Sequence, residues 1–165
     1  MRVQIYGLII LVTSLVLDII SKMIIVNNLH LGEKIEYLGG FLRITLVYNR
    51  GGVFGIAQGY KNVFLVISII VLIAIIIYYF YEKNKTMLFT VSMALIVSGA
   101  IGNIIDRVIP GRTGVVDFIS VGFGSTRWPA FNVADSAIVV GAFFLVYTFY
   151  KEEIKGKKVN TSEKS

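Results

Sequence analysis

Val63–Tyr81 reads VFLVISIIVLIAIIIYYFY, nineteen residues without a charge. As a helix rising 1.5 Å per residue it is about 28 Å long, close to the roughly 30 Å hydrocarbon core of a bilayer. Its β-branched content would suit a strand in water. In lipid, however, every backbone polar group must pair within a helix or a closed barrel, and so few long runs cannot close a barrel. Three further runs of this kind flank it, so the expected spans are about 5–26, 63–81, 87–105 and 131–150. The first is too long for a cleavable signal peptide, carries Asp18 and has no small-x-small site after it, so it reads as a retained helix. Composition agrees. Of 165 residues, 56% are hydrophobic and 16% charged. Soluble domains hold roughly 45–50% apolar and about 25% charged residues, so this chain has too few charges to clothe an apolar core. The expected fold is an all-α membrane protein: one domain, residues 1–150, of four transmembrane helices with a small extracytoplasmic β-ribbon, then a polar, flexible tail, 151–165.

The net charge of +6 is read against the membrane, and no nucleic-acid partner is expected. Four spans put both termini on one side. That side gathers Arg2, Lys83, Lys85, Lys151, Lys155, Lys157, Lys158 and Lys164 into few residues, whereas the Lys and Arg of the other side are spread over two long loops. Density of basic residues places both termini in the cytoplasm. In the first outer loop, Lys34–Leu38 and Phe41–Tyr48 flank Gly39-Gly40 with alternating polarity, the pattern of a β-hairpin. In the second, Gly114–Val121 reads as a short strand between turns at Pro110-Gly111 and Gly122–Gly124.

An ionisable residue inside a span is a functional hypothesis by default. Asp18 and Lys22 lie in the outer half of the first span. Asn103, Asp106 and Arg107 close the third. Asn132, Asp135 and Ser136 open the fourth, and Asn49 and Arg50 precede the second. All converge on one membrane face, while the other halves of the spans are almost free of polar groups. Some have structural readings. Asp18 and Lys22 stand at i and i+4, as do Asn103 and Arg107. Asn132 suits a helix N-cap, Gly99 and Gly102 suit close helix packing, and Trp128 suits an interfacial anchor. Asp135, inside the first turn, and Asp117, in the apolar run Val115–Ile119, are better explained by chemistry.

The chain has no cysteine and only His30, which excludes disulfides, thiolate sites and a His-rich zinc centre. A Ser-His-Asp triad through His30 has no supporting nucleophile motif. A Ser–Lys dyad would use Lys22 with Ser120 or Ser125, but a neighbouring carboxylate holds Lys22 charged. Magnesium-assisted phosphoryl chemistry stays open through Arg107, Arg112 and Arg127. A small transporter would need a polar path to the other face. Two aspartates sharing a proton are the economical choice: one activates water, the other polarises a carbonyl, and neither metal nor cofactor is needed. Spacing alone does not bring Asp117 to Asp135.

Five segments, in order, carry a resemblance: Leu17-Asp18-Ile19-Ile20-Ser21-Lys22; Tyr48-Asn49-Arg50-Gly51-Gly52-Val53-Phe54-Gly55; Gly99-Ala100-Ile101-Gly102-Asn103-Ile104-Ile105-Asp106-Arg107; Val115-Val116-Asp117-Phe118; and Phe131-Asn132-Val133-Ala134-Asp135-Ser136. Through them the chain resembles the lipoprotein signal peptidases, the type II signal peptidases of bacterial cytoplasmic membranes. The resemblance implies a membrane-embedded aspartic endopeptidase that cuts diacylglyceryl-modified prolipoproteins just before the lipidated cysteine, near the extracytoplasmic face. It implies Asp117 and Asp135 as the catalytic pair. Asn49, Gly51, Asn103, Arg107 and Asn132 are implied as substrate-binding residues, with Asp18, Lys22, Asp106 and Ala134 as structural support. It further implies inhibition by globomycin. A monomer surrounded by membrane lipid is expected. Gly52-Val53 stands where the family commonly has Ala-Ala, a departure that touches substrate preference rather than the reaction.

Overall fold

The computed structural model describes residues 2–51 and 59–162, with the side chains of 155–162 left aside. Four helices form: α1 (Arg2–Asn28), α2 (Lys61–Tyr81), α3 (Met87–Val108) and α4 (Val133–Ser162). All four are long and apolar enough to cross a membrane, α4 over Val133–Ile154. Each helix covers one of the four apolar runs. At the C-terminal end α4 continues through the polar segment expected to be a flexible tail. The Lys and Glu residues beyond Tyr150 are good helix formers, so the exit from the apolar run need not end the helix.

The third helix is the centre of the bundle. α1, α2 and α4 all pack on it, and half of its apolar window is buried, whereas α2 buries none of its residues. Small residues set the α3–α4 and α1–α3 distances. A Cβ at Gly99 would strike the Ala134 carbonyl and Ile138, and one at Gly102 would strike the Asp18 carboxylate. The N-cap of α3 is Thr86, whose hydroxyl accepts from Phe89 N.

The α1–α2 and α3–α4 connections both contribute to one antiparallel sheet in the order β1 (Lys34–Tyr37), β2 (Leu42–Asn49), β3 (Val115–Phe123), β4 (Thr126–Arg127). The β1–β2 hairpin turns at Gly39 and Gly40, where φ of 64° and 88° suits glycine. The joining of β2 to β3 was not foreseen. Arg127 fastens it at the turn end, donating to the carbonyls of Gly40, Phe41, Ser120 and Gly122 and to Ser120 Oγ. One face of the sheet packs on the end of α1: Leu46, Val116 and Phe118 meet Leu29, with Ile25, Val26 and Tyr48 alongside.

Candidate active site

The pleat of the sheet aims the first aspartate. Val116 and Phe118 face α1, so Asp117 between them points to the opposite face. A bulge in β2 between Ile44 and Val47 brings Val47 opposite Asp117 and Asn49 opposite Val115. Asn49 therefore shares a face with Asp117, and its Nδ2 donates to Asp117 Oδ2 at 3.1 Å. Asn49 Oδ1 in turn accepts from Gly51 N at 3.0 Å. Bulges of this kind re-aim side chains beside functional sites.

The second aspartate is placed by a helix cap. Asn132 is the N-cap of α4: its Oδ1 accepts from Asp135 N at 2.8 Å, while Asp135 Oδ2 accepts from Asn132 N at 3.1 Å. This is a capping box with aspartate at its third position. The side-chain amide of Asn132 then reaches across to Asp117 Oδ1 at 2.7 Å. One fully buried residue thus holds both carboxylates. Asn103 closes the ring, donating from Nδ2 to Asp135 Oδ1 at 2.8 Å and accepting at Oδ1 from Asn132 Nδ2 at 3.2 Å. The dual role of Asn132 was not evident from the sequence, although Asn-x-x-Asp before an apolar run is a legible capping signal.

Beneath the pair lies a charged network. Lys22, 1% exposed, donates to Asp18 Oδ2 at 2.7 Å and to Asn103 Oδ1 at 3.2 Å, and forms an ion pair with Asp106 Oδ2 at 2.9 Å. Two carboxylates and an amide oxygen surround its amine, and none of its contacts is a serine hydroxyl, so the geometry does not support a Ser–Lys dyad. Asp18 also accepts from Ala134 N at 2.9 Å, tying α1 to the first turn of α4. Asp106 pairs with Arg112 and accepts from Val116 N at 3.2 Å. The expected i, i+4 contact of Asn103 and Arg107 exists, but through the backbone: Arg107 donates to Asn103 O at 3.0 Å and to Gly51 O at 3.2 Å. Nothing in local spacing signals the Asp106–Lys22 and Asp106–Arg112 pairs.

All the predicted site residues among those described therefore meet in one network; Gly52-Val53 lies outside the described residues. His30 is exposed, and its backbone N–H bonds to Glu33. Arg107, Arg112 and Arg127, the basis of a phosphoryl-transfer reading, are engaged by Asn103 and Gly51, by Asp106, and by the sheet carbonyls respectively. The Asp117 carboxyl is 3% exposed. Burial, with the neighbouring charge of Asp135, pushes it up to about 7.

Comparison with known proteins gives one consistent answer. The family model for signal peptidase (SPase) II matches residues 10–151. A lipoprotein signal peptidase of Listeria monocytogenes is 42% identical over 157 residues, covering 93% of this chain and 99% of the relative. One from Halalkalibacterium halodurans is 39% identical over 155 residues, covering 94% and 97%. A solved bacterial membrane enzyme, determined by the in meso method, superposes with a TM-score of 0.77 at 35% identity, covering 90% of this chain and 89% of that one. By sequence along most of its length and by fold, the chain belongs to the signal peptidase II family.

Proposed function

We propose that this membrane enzyme removes the signal peptide from diacylglyceryl-modified prolipoproteins by acid–base catalysis on Asp117 and Asp135. Family membership gives the reaction class, lipoprotein signal-peptide processing. The observation that carries the mechanism is Asn132 holding both carboxylates, with the buried Asp117 raised to about 7. Charge balance supports a single shared proton. Lys22, Arg107 and Arg112 offset Asp18, Asp106 and one member of the pair, so the cluster is neutral when the pair carries one proton.

In this reading Asp117, raised to about 7, is the proton donor of the pair, and its protonated form donates toward the scissile carbonyl oxygen. Asp135, in the first turn of α4 where the helix dipole favours an anion, takes a proton from water. The water oxygen bonds to the carbonyl carbon, and the carbonyl oxygen becomes a hydroxyl with the Asp117 proton. On collapse the C–N bond breaks, Asp135 passes its proton to the leaving amine, and the hydroxyl proton returns to Asp117. Asn49, Gly51, Asn103, Arg107 and Asn132 surround the pair and line the peptide's path, and Asp18, Lys22, Asp106 and Ala134 hold the helices in place. The exposed β1 strand is an edge on which an extended peptide can add as a strand. Both termini lie in the cytoplasm, and the site opens at the extracytoplasmic face, where the lipidated cysteine sits. The enzyme works as a monomer in membrane lipid, and globomycin competes for the site.

The test is cleavage of a diacylglyceryl-modified prolipoprotein by detergent-purified protein. Asp117→Asn and Asp135→Asn are expected to fold and to lose at least 10³-fold in kcat, while EDTA leaves the wild type unchanged and globomycin inhibits it. A folded variant with near-normal cleavage makes that aspartate structural; loss with EDTA makes the reaction metal-dependent.

A further inference from the structure

At the end of the bundle away from the aspartates, a cavity of about 310 Å³ opens between α1, α2 and α3. It falls within the range of roughly 300–1,000 Å³ typical of small-molecule sites. Leu8 and Leu11, Ile76 and Phe80, and Met93 and Val97 make its walls almost wholly apolar. Thr90 also lines it, is 2% exposed, and has a hydroxyl with no hydrogen-bond partner among the described residues.

That orphan is unusual within this protein. Ser92, Ser136 and Thr148 each donate to the carbonyl four residues back, to Leu88, Asn132 and Phe144 respectively. Thr90 does not. Its methyl group instead fills the space left by Gly7, where a Cβ would fall 2.5 Å from Thr90 Cγ2. A buried hydroxyl without a partner in a lipid-embedded bundle calls for one from a ligand.

The rim supplies the rest of the chemistry. Tyr79 lines the cavity, and the Lys85 ammonium sits over its ring at 5.2 Å from the centroid. Lys83 stands in the same short turn, and Arg2 begins the helix that contributes Gln4 and Gly7. The acid in that turn, Glu82, is turned onto Asn84 N at 2.7 Å. Thr90 lies in the first turn of α3, one helical turn from the α2–α3 turn that carries Lys83 and Lys85.

We infer that this cavity is a binding site for an anionic glycerophospholipid of the leaflet opposite the aspartates. One acyl chain occupies the apolar groove, an ester carbonyl accepts from Thr90, and the phosphate lies near Lys85. Native mass spectrometry of the full chain in detergent tests this with dioleoyl phosphatidylglycerol and dioleoyl phosphatidylcholine as probes. Wild type is expected to retain one phosphatidylglycerol at least fivefold better than phosphatidylcholine. Leu8→Trp, which fills the groove from an exposed position, should abolish retention. The isosteric Thr90→Val and the charge-removing Lys85→Gln should each weaken it severalfold, with detergent-phase cleavage of a lipidated precursor unchanged in all three. Equal retention of the two lipids, unchanged retention in both Leu8→Trp and Thr90→Val, or one-for-one displacement by the precursor's signal-peptide helix would each overturn the assignment.

Discussion

Asn132 performs two tasks that a substitution can separate. Its Oδ1 caps α4, and its Nδ2 holds Asp117. Serine is also a good N-cap, but its shorter side chain does not span to Asp117. Asn132→Ser is therefore expected to keep the cap but to cost about 1–3 kcal/mol in stability, because the buried acceptors of Nδ2 lose their donor, while lowering kcat at least tenfold; thermal unfolding and cleavage kinetics on the same preparation check both halves. Asp117 links pH to the fold and, on the proposed mechanism, to activity. Its folded value of about 7 lies above the ordinary 3.8, so the protonated form is the one the fold favours. Stability from this group is fully present below the ordinary value and is lost as pH rises through about 7, with a slope of up to about 1.4 kcal/mol per pH unit between them. Asp117→Asn should remove that decline between pH 5 and 7 in denaturation experiments. In the wild type, kcat/KM should fall above about 7 as the pair loses its shared proton, an apparent value that belongs to both aspartates.

At the scale of elements, close approach rather than polarity makes the site possible. Gly102 faces the Asp18 carboxylate and Ala134, where α1, α3 and α4 meet. Gly102→Ala forces a methyl group onto that carboxylate and should cost about 1–3 kcal/mol. Because Asp18 holds both Lys22 and Ala134 N, kcat should fall with it; a variant with lowered Tm but wild-type kcat would show that the junction tolerates displacement. Features of this kind divide what the sequence reveals from what it conceals. The four spans, the Gly39-Gly40 hairpin and the strand around Asp117 were legible because each is written in local periodicity and turn chemistry. Asp18 and Lys22 were legible as a pair because they stand one turn apart. The joining of β2 to β3, the sharing of Lys22 between Asp18 and Asp106, and the capture of Arg112 by Asp106 depend on contacts between distant segments. Local pattern carries no record of such contacts. In the sequence, the pairing of Asp117 with Asp135 is carried only by the five-motif resemblance, and its physical cause, Asn132 bonded to both, lies in contacts between distant segments.

For the whole molecule, the distribution of exposure is that of a protein solvated by lipid. Leu8, Ile9, Val66, Ile70, Ile77, Val139, Phe143 and Val146 all present large apolar side chains outward, whereas Asp18, Lys22 and Asp106 are each 1% exposed. Such an inside-out arrangement forces the polar site to one end, because only there can the α3 and α4 termini and the sheet supply hydrogen bonds. Sidedness then follows from parity and charge. Four crossings put the α2–α3 turn on the same side as both termini, and the sheet with the aspartates on the other. On the orientation proposed above, the basic density of the terminal side puts it in the cytoplasm. The chain contains no cysteine, so single introduced thiols report without background. Ser125 and Asn84 are both exposed, one in the β3–β4 turn and the other in the α2–α3 turn. In intact cells, or spheroplasts where an outer membrane must first be removed, Ser125→Cys should react with a membrane-impermeant maleimide, and Asn84→Cys only after the membrane is opened. The reverse pattern would place the aspartates on the cytoplasmic face, where a precursor's lipidated cysteine could not meet them after export. Labelling of both sites from outside would break the four-span parity itself.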